Sequence, residues 1–335
     1  MIARSPLGAT SRSLSSVVGV MLLAGSVAVS GQTAFQQDAS TIDDLIANGQ
    51  YGRASRFVKI RLDRMRLLEA PFDEAAPLLA YAGKLDVEIG RLSDAAEALK
   101  AAEASARIFY YWEPAVAREQ AALDLARGDH AAAAAAAAKA YRLSHERGYS
   151  AIRAAYCENI EALAQLRMGN VSQAEQLVLE ALKAVPNSGD LSLFFAPRIL
   201  YTACLVESYR SNRSVAEAQC LRGMKMAERS RAESRDSSLG HLAFAESYFQ
   251  SRDFVRSRES SLKALELTYR LFGPQHQDAV EALQMLALVD MREGKVVEAR
   301  KRAQNAIKIA KELFGEGSLG VIRPTRTLNE VMKSE

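Results

Sequence analysis

The chain has 335 residues, of which 49% are hydrophobic, 25% charged and only 7% aromatic, and its 43 Lys and Arg against 40 Asp and Glu leave a formal charge of +3. This balance excludes a disordered chain and a Pro- or Gly-dominated fibre, and so small a net charge gives no electrostatic reason to expect nucleic acid as a partner. Three cysteines and four histidines lie scattered, with no HExxH or CxxC spacing, so neither a metal nor a cofactor is expected.

The first segment reads as an address. Arg4 and Arg12 precede a 13-residue apolar run from Val17 to Val29, interrupted by Gly19, Gly25 and Ser26. A membrane-spanning helix needs roughly 20 apolar residues, so the run is too short to span. A basic start, a short apolar run and small residues at Ala28 and Ser30 fit a secretory signal peptide over residues 1–30, cleaved before Gly31. Leu22 to Gly25 has the form of a lipoprotein box, but Ser26 stands where the lipidated Cys is required. The expected product, after a short linker over 31–37, is exported to the periplasm or secreted, with no stable membrane insertion.

From there a pattern recurs: a helical stretch, a turn, an apolar residue two positions on and a small residue five positions on. The turns fall at Gly49, Gly90, Gly128, Gly169, Arg213, Arg252 and Gly294, spaced by 41, 38, 41, 44, 39 and 42 residues. Five positions on stand Ala54, Ala95, Ala133, Ala174, Ala218, Ser257 and Ala299, and seven before stand Ile42, Gly83, Ala121, Ala162, Val206, Ala245 and Ala287. Small residues at these offsets let two antiparallel helices of one hairpin cross closely. The period is helical throughout, with no strand-like alternation.

The segment Gly169-Asn170-Val171, Ala174, Val178, Ala181-Leu182 and Pro186 resembles a tetratricopeptide repeat. Ala264-Leu265-Glu266-Leu267 followed by Leu271-Phe272-Gly273-Pro274-Gln275-His276, and again Ala306 to Ile309 with Leu313-Phe314-Gly315, resemble the longer repeats of kinesin light chains and many bacterial proteins. The resemblance implies an all-α, right-handed superhelical solenoid of about seven antiparallel hairpins over 38–315. A C-terminal cap over 316–335 would follow, with a helix from Thr325 to Lys333 covering the last apolar face, as a repeat array requires. Gly273 and Gly315 are the expected left-handed caps of the preceding helices.

The chemistry-bearing residues are weighed within that frame. The alanine run Ala131 to Ala138 reads as a thin helix, since alanine is the best helix former. Ile108 to Trp112, with Tyr110 and Trp112, either fills space against that helix or forms an aromatic docking patch. Cys204 and Cys220 fall on the two helices of one hairpin, so a bridge between them is open, although buried free thiols are the default expectation. His276 is expected to order the turn it belongs to. No catalytic motif is present, so no enzymatic activity is expected, and the chain ends about 20 residues past its last hairpin, which is read as leaving no room for a catalytic domain.

In tetratricopeptide proteins the first helices line an inner groove. The resemblance therefore implies ligand-facing positions at Lys84, Arg118, Tyr156, Asn159, Leu163, Arg167, Glu207, Arg210, Glu246, Phe249, Leu288 and Arg292. Arginines there would pair carboxylates of an extended or helical peptide. The Lys/Asn/Arg clamp of the family's chaperone-binding members is not met, because Ala122 and Ile160 occupy two of its positions. The function expected is a non-catalytic scaffold or adaptor for another protein or peptide. The alternatives are a regulatory partner of a separately encoded enzyme, such as a caspase-like protease, or a self-assembling homo-oligomer.

Overall fold

The structure is a computed structural model that describes residues 37–46, 48–67, 75–107, 110–185, 192–229 and 233–333. The expected signal peptide lies outside the described residues, as do Ile108, Phe109 and Pro186. The chain divides into two compact units, Met1–Asp44 and Leu45–Glu335. In the first, the described residues form the start of a helix, α1, over residues 37–46, where the Thr41 hydroxyl donates to the Gln37 carbonyl at 2.9 Å.

The second unit is a succession of helices: α2 (Tyr51–Leu67), α3 (Ala75–Glu88), α4 (Leu92–Ala106), α5 (Glu113–Ala126), α6 (His130–Glu146), α7 (Ala151–Arg167), α8 (Val171–Ala184), α9 (Ser192–Tyr209), α10 (Arg213–Ala227), α11 (Arg235–Gln250), α12 (Phe254–Phe272), α13 (Gln277–Arg292), α14 (Val296–Phe314) and α15 (Leu319–Lys333). No strand occurs among the described residues. From α3 onward the helices pack as consecutive antiparallel pairs, each first helix also touching the first helix of the next pair, and α15 covers α14 and α13. The expected solenoid with a terminal cap is therefore the fold. The cap helix begins at Leu319, earlier than expected, and runs through Pro324. Burial of Val321, Pro324, Thr327 and Val331 along one face stabilises it despite the hydrogen bond that proline removes.

One turn geometry joins every pair. Backbone N–H groups of Gln50, Arg91, Asp129, Asn170, Asn212, Asp253 and Lys295 each donate to a carbonyl five residues earlier, at 2.7–2.9 Å. Such a cap needs one residue in the left-handed region, usually glycine. Gly49, Gly90, Gly128, Gly169 and Gly294 supply it, but in the remaining turns it is Ser211 (φ 64°) and Arg252 (φ 60°). The fifth turn is thus centred on Ser211, two residues before the expected Arg213, which is the first residue of α10. The expectation failed because a turn without glycine carries no local signature strong enough to fix its register.

With the register corrected, the turns are spaced by 41, 38, 41, 42, 41 and 42 residues. The buried small residue five after the fifth turn is Ala216 and not Ala218, and the residue seven before it is Cys204 and not Val206. The position nine after each turn is also buried, as Val58, Leu99, Ala137, Val178, Cys220, Ser261 and Ala303. Positions seven before and nine after a turn face each other across the hairpin. Gly83 leaves room there for Leu99, whose Cγ would lie 2.5 Å from an added Cβ. In the fifth hairpin the same pair is Cys204 and Cys220, whose Cα atoms are 5.3 Å apart and which form a disulfide. The default of free thiols holds only for Cys157, which is buried.

The second unit also meets itself far along the chain, where the turns of its early hairpins abut the open ends of its late ones. The Tyr51 ring packs edge-on against Phe272 at 5.3 Å, and the backbone N–H of Arg235 donates to the Tyr51 hydroxyl at 3.0 Å. Gln277 Nε2 donates to the Val87 carbonyl at 2.8 Å, and His276 Nε2 lies 3.0 Å from the Glu88 carbonyl. Gly128 comes so near that a Cβ on it would lie 3.1 Å from the Gly320 Cα. Phe314 packs on the cluster of Val87, Leu92, Leu99 and Leu123. These contacts form a seam between successive coils.

Candidate interaction groove

Two ionic clusters line the face where first helices converge. In the first, Arg198 of α9 grips the Glu88 carboxylate of α3 with both terminal nitrogens, at 2.8 and 2.9 Å. Its Nε donates to Asp236 at 2.6 Å, and Nη1 donates to the Tyr156 hydroxyl at 3.1 Å. Arg235 of α11 donates twice to Asp278, at 2.9 and 2.8 Å, and reaches Glu88 at 3.4 Å. Burial alone would push the Glu88 carboxyl up, but Arg198 and Arg235 outweigh it and hold the group far below the usual carboxylate range. Asp278 is lowered in the same way, with Arg235 opposing burial. His276 orders its turn as expected, since its Nδ1 accepts from the Asp278 N–H at 3.1 Å, and burial keeps the ring neutral by lowering its pKa.

In the second cluster Arg167 of α7 donates to Glu246 of α11 at 2.6 Å, and the Tyr209 hydroxyl of α9 donates to the same oxygen at 2.8 Å. Glu281 of α13 lies 4.0 Å from Arg167. Burial works against the charged Glu246, while Arg167, then Arg323 and the two hydrogen bonds, hold its carboxyl down at about 2.

The residues expected to face a ligand therefore divide. Tyr156 is buried and Arg167 and Arg118 are half-buried, all three committed to internal contacts, Arg118 pairing with Glu119 at 2.6 Å and lying 5.7 Å from the Phe195 ring. Arg210 stands at the closed end of its hairpin, pairing with Glu175 of α8 at 2.7 Å, because the corrected register gives its expected place, three residues before the turn, to Ser208. Lys84 is half-buried beside the Tyr81 ring at 5.6 Å. Arg292 is exposed, with its guanidinium 6.0 Å from the half-buried Phe249 ring. Asn159 is 3% exposed and its Oδ1 has no hydrogen-bond partner. A buried polar atom without a partner is costly. Tyr110 is 62% exposed under the Arg147 guanidinium, 4.6 Å away, whereas Trp112 packs against Ala76, Ala80 and Val116. The aromatic patch is thus half filler and half surface.

Sequence reasoning missed Arg198, Arg235, Glu88 and Tyr209. Arg198 and Tyr209 stand at the same distances before Ser211 as Tyr156 and Arg167 before Gly169, so the correct turn would have found both. No local signal marks Glu88 and Arg235 as partners, being 147 residues apart.

Among solved structures, a Rap protein complexed with Competence and Sporulation Factor superposes with a TM-score of 0.64 at 12% identity, over 90% of this chain and 88% of that one. The fold is a tetratricopeptide-repeat solenoid. The APC/C hetero-tetramer Cut9–Hcn1 matches it with a TM-score of 0.53 at 13% identity, over 87% of this chain and 48% of that chain. A tetratricopeptide repeat protein from Parabacteroides merdae matches at 17% identity and a TM-score of 0.47, over 90% of this chain and 99% of that one. No protein-family model and no curated protein matches the sequence. Among the described residues of this tetratricopeptide solenoid, no group of His, Cys, Asp or Glu could hold a metal ion, and no helix is long and apolar enough to cross a membrane.

Proposed function

We propose that the protein is an exported, non-catalytic adaptor that holds a peptide or protein segment on the inner face of its solenoid. The observation that carries this reading is Asn159, a buried amide on a first helix whose Oδ1 lacks a partner that a ligand backbone N–H would supply. Phe249 of α11 and Arg292 of α13, 6.0 Å apart, add an aromatic face and a guanidinium on two later first helices. The solved Rap protein, complexed with Competence and Sporulation Factor, has the same fold over most of this chain, which supports a binding role for the solenoid. Export is supported by the N-terminal pattern and by the Cys204–Cys220 disulfide, a bond that persists in oxidising compartments.

The test is affinity capture from a periplasmic extract with wild type and a Phe249→Ala/Arg292→Ala variant. Neither side chain takes part in the ionic clusters, so circular dichroism is expected to show equal helicity. A partner captured by wild type and lost by the variant supports the groove. A partner retained equally moves the site elsewhere, and a protein that sizes as an oligomer with no partner replaces the adaptor with self-assembly.

A further inference from the structure

The Arg198–Arg235 cluster has an architecture that a merely structural ion pair does not need. Each arginine already has its own acid: Asp236 accepts from Arg198 at 2.6 Å, and Asp278 accepts twice from Arg235 at 2.8 and 2.9 Å. These four residues, with Tyr156, lie on the consecutive first helices α7, α9, α11 and α13, so they assemble without the N-terminal hairpins. Glu88 is the third acid and comes from α3, across the seam, 110 residues from Arg198 in sequence. It occupies the two terminal nitrogens of Arg198, the fork best matched to a planar carboxylate. Arg198 keeps 20% of its side chain exposed and Asp236 keeps 17%, so the cluster opens onto solvent.

The seam that delivers Glu88 is thin. Among the described residues it comprises, besides this carboxylate, two side-chain bonds to the turn of α3 and α4, the Tyr51 ring on Phe272 and its hydroxyl on the Arg235 N–H, the Phe314 ring, and the close approaches of Gly90 to His276 and of Gly128 to Gly320. Neighbouring hairpins, by contrast, stack along whole helices. Parting the seam therefore leaves every hairpin on its neighbours.

We propose that Glu88 is a built-in occupant of a carboxylate site formed by Arg198, Arg235 and Tyr156, and that an acidic group of a partner takes its place and parts the seam. This deepens the adaptor reading by naming the partner's chemistry, either an acidic side chain or a chain-terminal carboxylate. Its fate is separate from that reading, because the contact is read within the chain and with peptides of defined composition.

The experiment measures anisotropy of three fluorescein-labelled peptides on the full chain: hexaglutamate with an amidated end, hexaglutamine with a free carboxyl end, and hexaglutamine amide. Wild type is compared with Glu88→Gln and with Gln277→Ala, the latter weakening the seam without touching the arginines. Both variants are expected to bind a carboxylate-bearing peptide at least tenfold more tightly than wild type. Hexaglutamate preference assigns the site to side chains, free-end hexaglutamine to a terminus, and the neutral peptide is expected not to bind. Adding Arg198→Ala to Glu88→Gln is expected to abolish the gain. Hydrogen exchange in the same samples should show lost protection at residues 86–92 and 275–279, with α7 to α10 unchanged. A seam that opens by exchange with no gain in affinity overturns the proposal, as does a seam that stays closed in both variants. If Glu88→Gln fails to fold, Gln277→Ala decides by the same two readouts.

Discussion

Glu246 shows how an inner-face carboxylate is held charged. Burial works against the ionised form, while Arg167 at 2.6 Å and the Tyr209 hydroxyl favour it strongly enough to keep its pKa at about 2. A carboxyl with a lowered folded-state pKa contributes stability that is complete above its unfolded value of 4.5 and is lost as pH falls through about 2. Glu88 and Asp278 are shifted in the same direction and add to the same window. Urea midpoints are therefore expected to fall steeply between about pH 5 and pH 2, and Glu246→Gln should flatten the upper part of that fall. At neutral pH the same substitution should cost about 3–5 kcal/mol, because it leaves Arg167 buried without its closest counter-charge.

At the scale of the element, the turns decide most. Seven turns share one hydrogen-bond pattern, and in two of them a residue with a side chain stands in the left-handed region, Ser211 at φ 64° and Arg252 at φ 60°. That conformation disfavours any L-residue with a Cβ by roughly 1–2 kcal/mol. Glycine's extra freedom in the unfolded chain offsets part of the gain. Ser211→Gly and Arg252→Gly are each expected to stabilise by about 1 kcal/mol, seen as a raised melting temperature with unchanged helicity. The fifth hairpin carries a second device at the crossing where its neighbours use small or apolar residues. The Cys204–Cys220 bridge closes a loop with a sequence separation of 16, for which loop entropy gives about 3 kcal/mol. Melting with and without a thiol reductant should differ by that amount in wild type, and a Cys204→Ala/Cys220→Ala variant should show no reductant effect.

At the scale of the molecule, the second unit combines strong local stacking with a weak long-range closure. Each hairpin buries its small-residue stripe against its partner helix and its first helix against the next pair, so most contacts are made between near neighbours. The seam instead joins residues more than 100 positions apart through a few polar bonds and small apolar contacts. In an array of this kind stability is close to a sum over neighbouring units, so a closure outside that sum is the natural place for a conformational response. The half-buried guanidinium of Arg198 and the buried one of Arg235 sit where such a closure would report a bound acid.

The sequence by itself determined the helical period, the turns where glycine stands, the close crossings marked by alanine, and hence the solenoid and its cap. These are local: a left-handed glycine or an alanine facing an alanine acts over one hairpin and is written within about 40 residues of chain. It determined less of the inner face, since helix position placed Tyr156 and Arg167 toward a ligand while the structure commits both to internal partners. Only the tertiary structure decided that Ser211 and not Arg213 turns the fifth hairpin, that Cys204 meets Cys220, and that Glu88 meets Arg198 and Arg235. The reason is physical: the pitch of a superhelix accumulates from small rotations at every interface, so which distant side chains meet is a property of the sum and of no single segment.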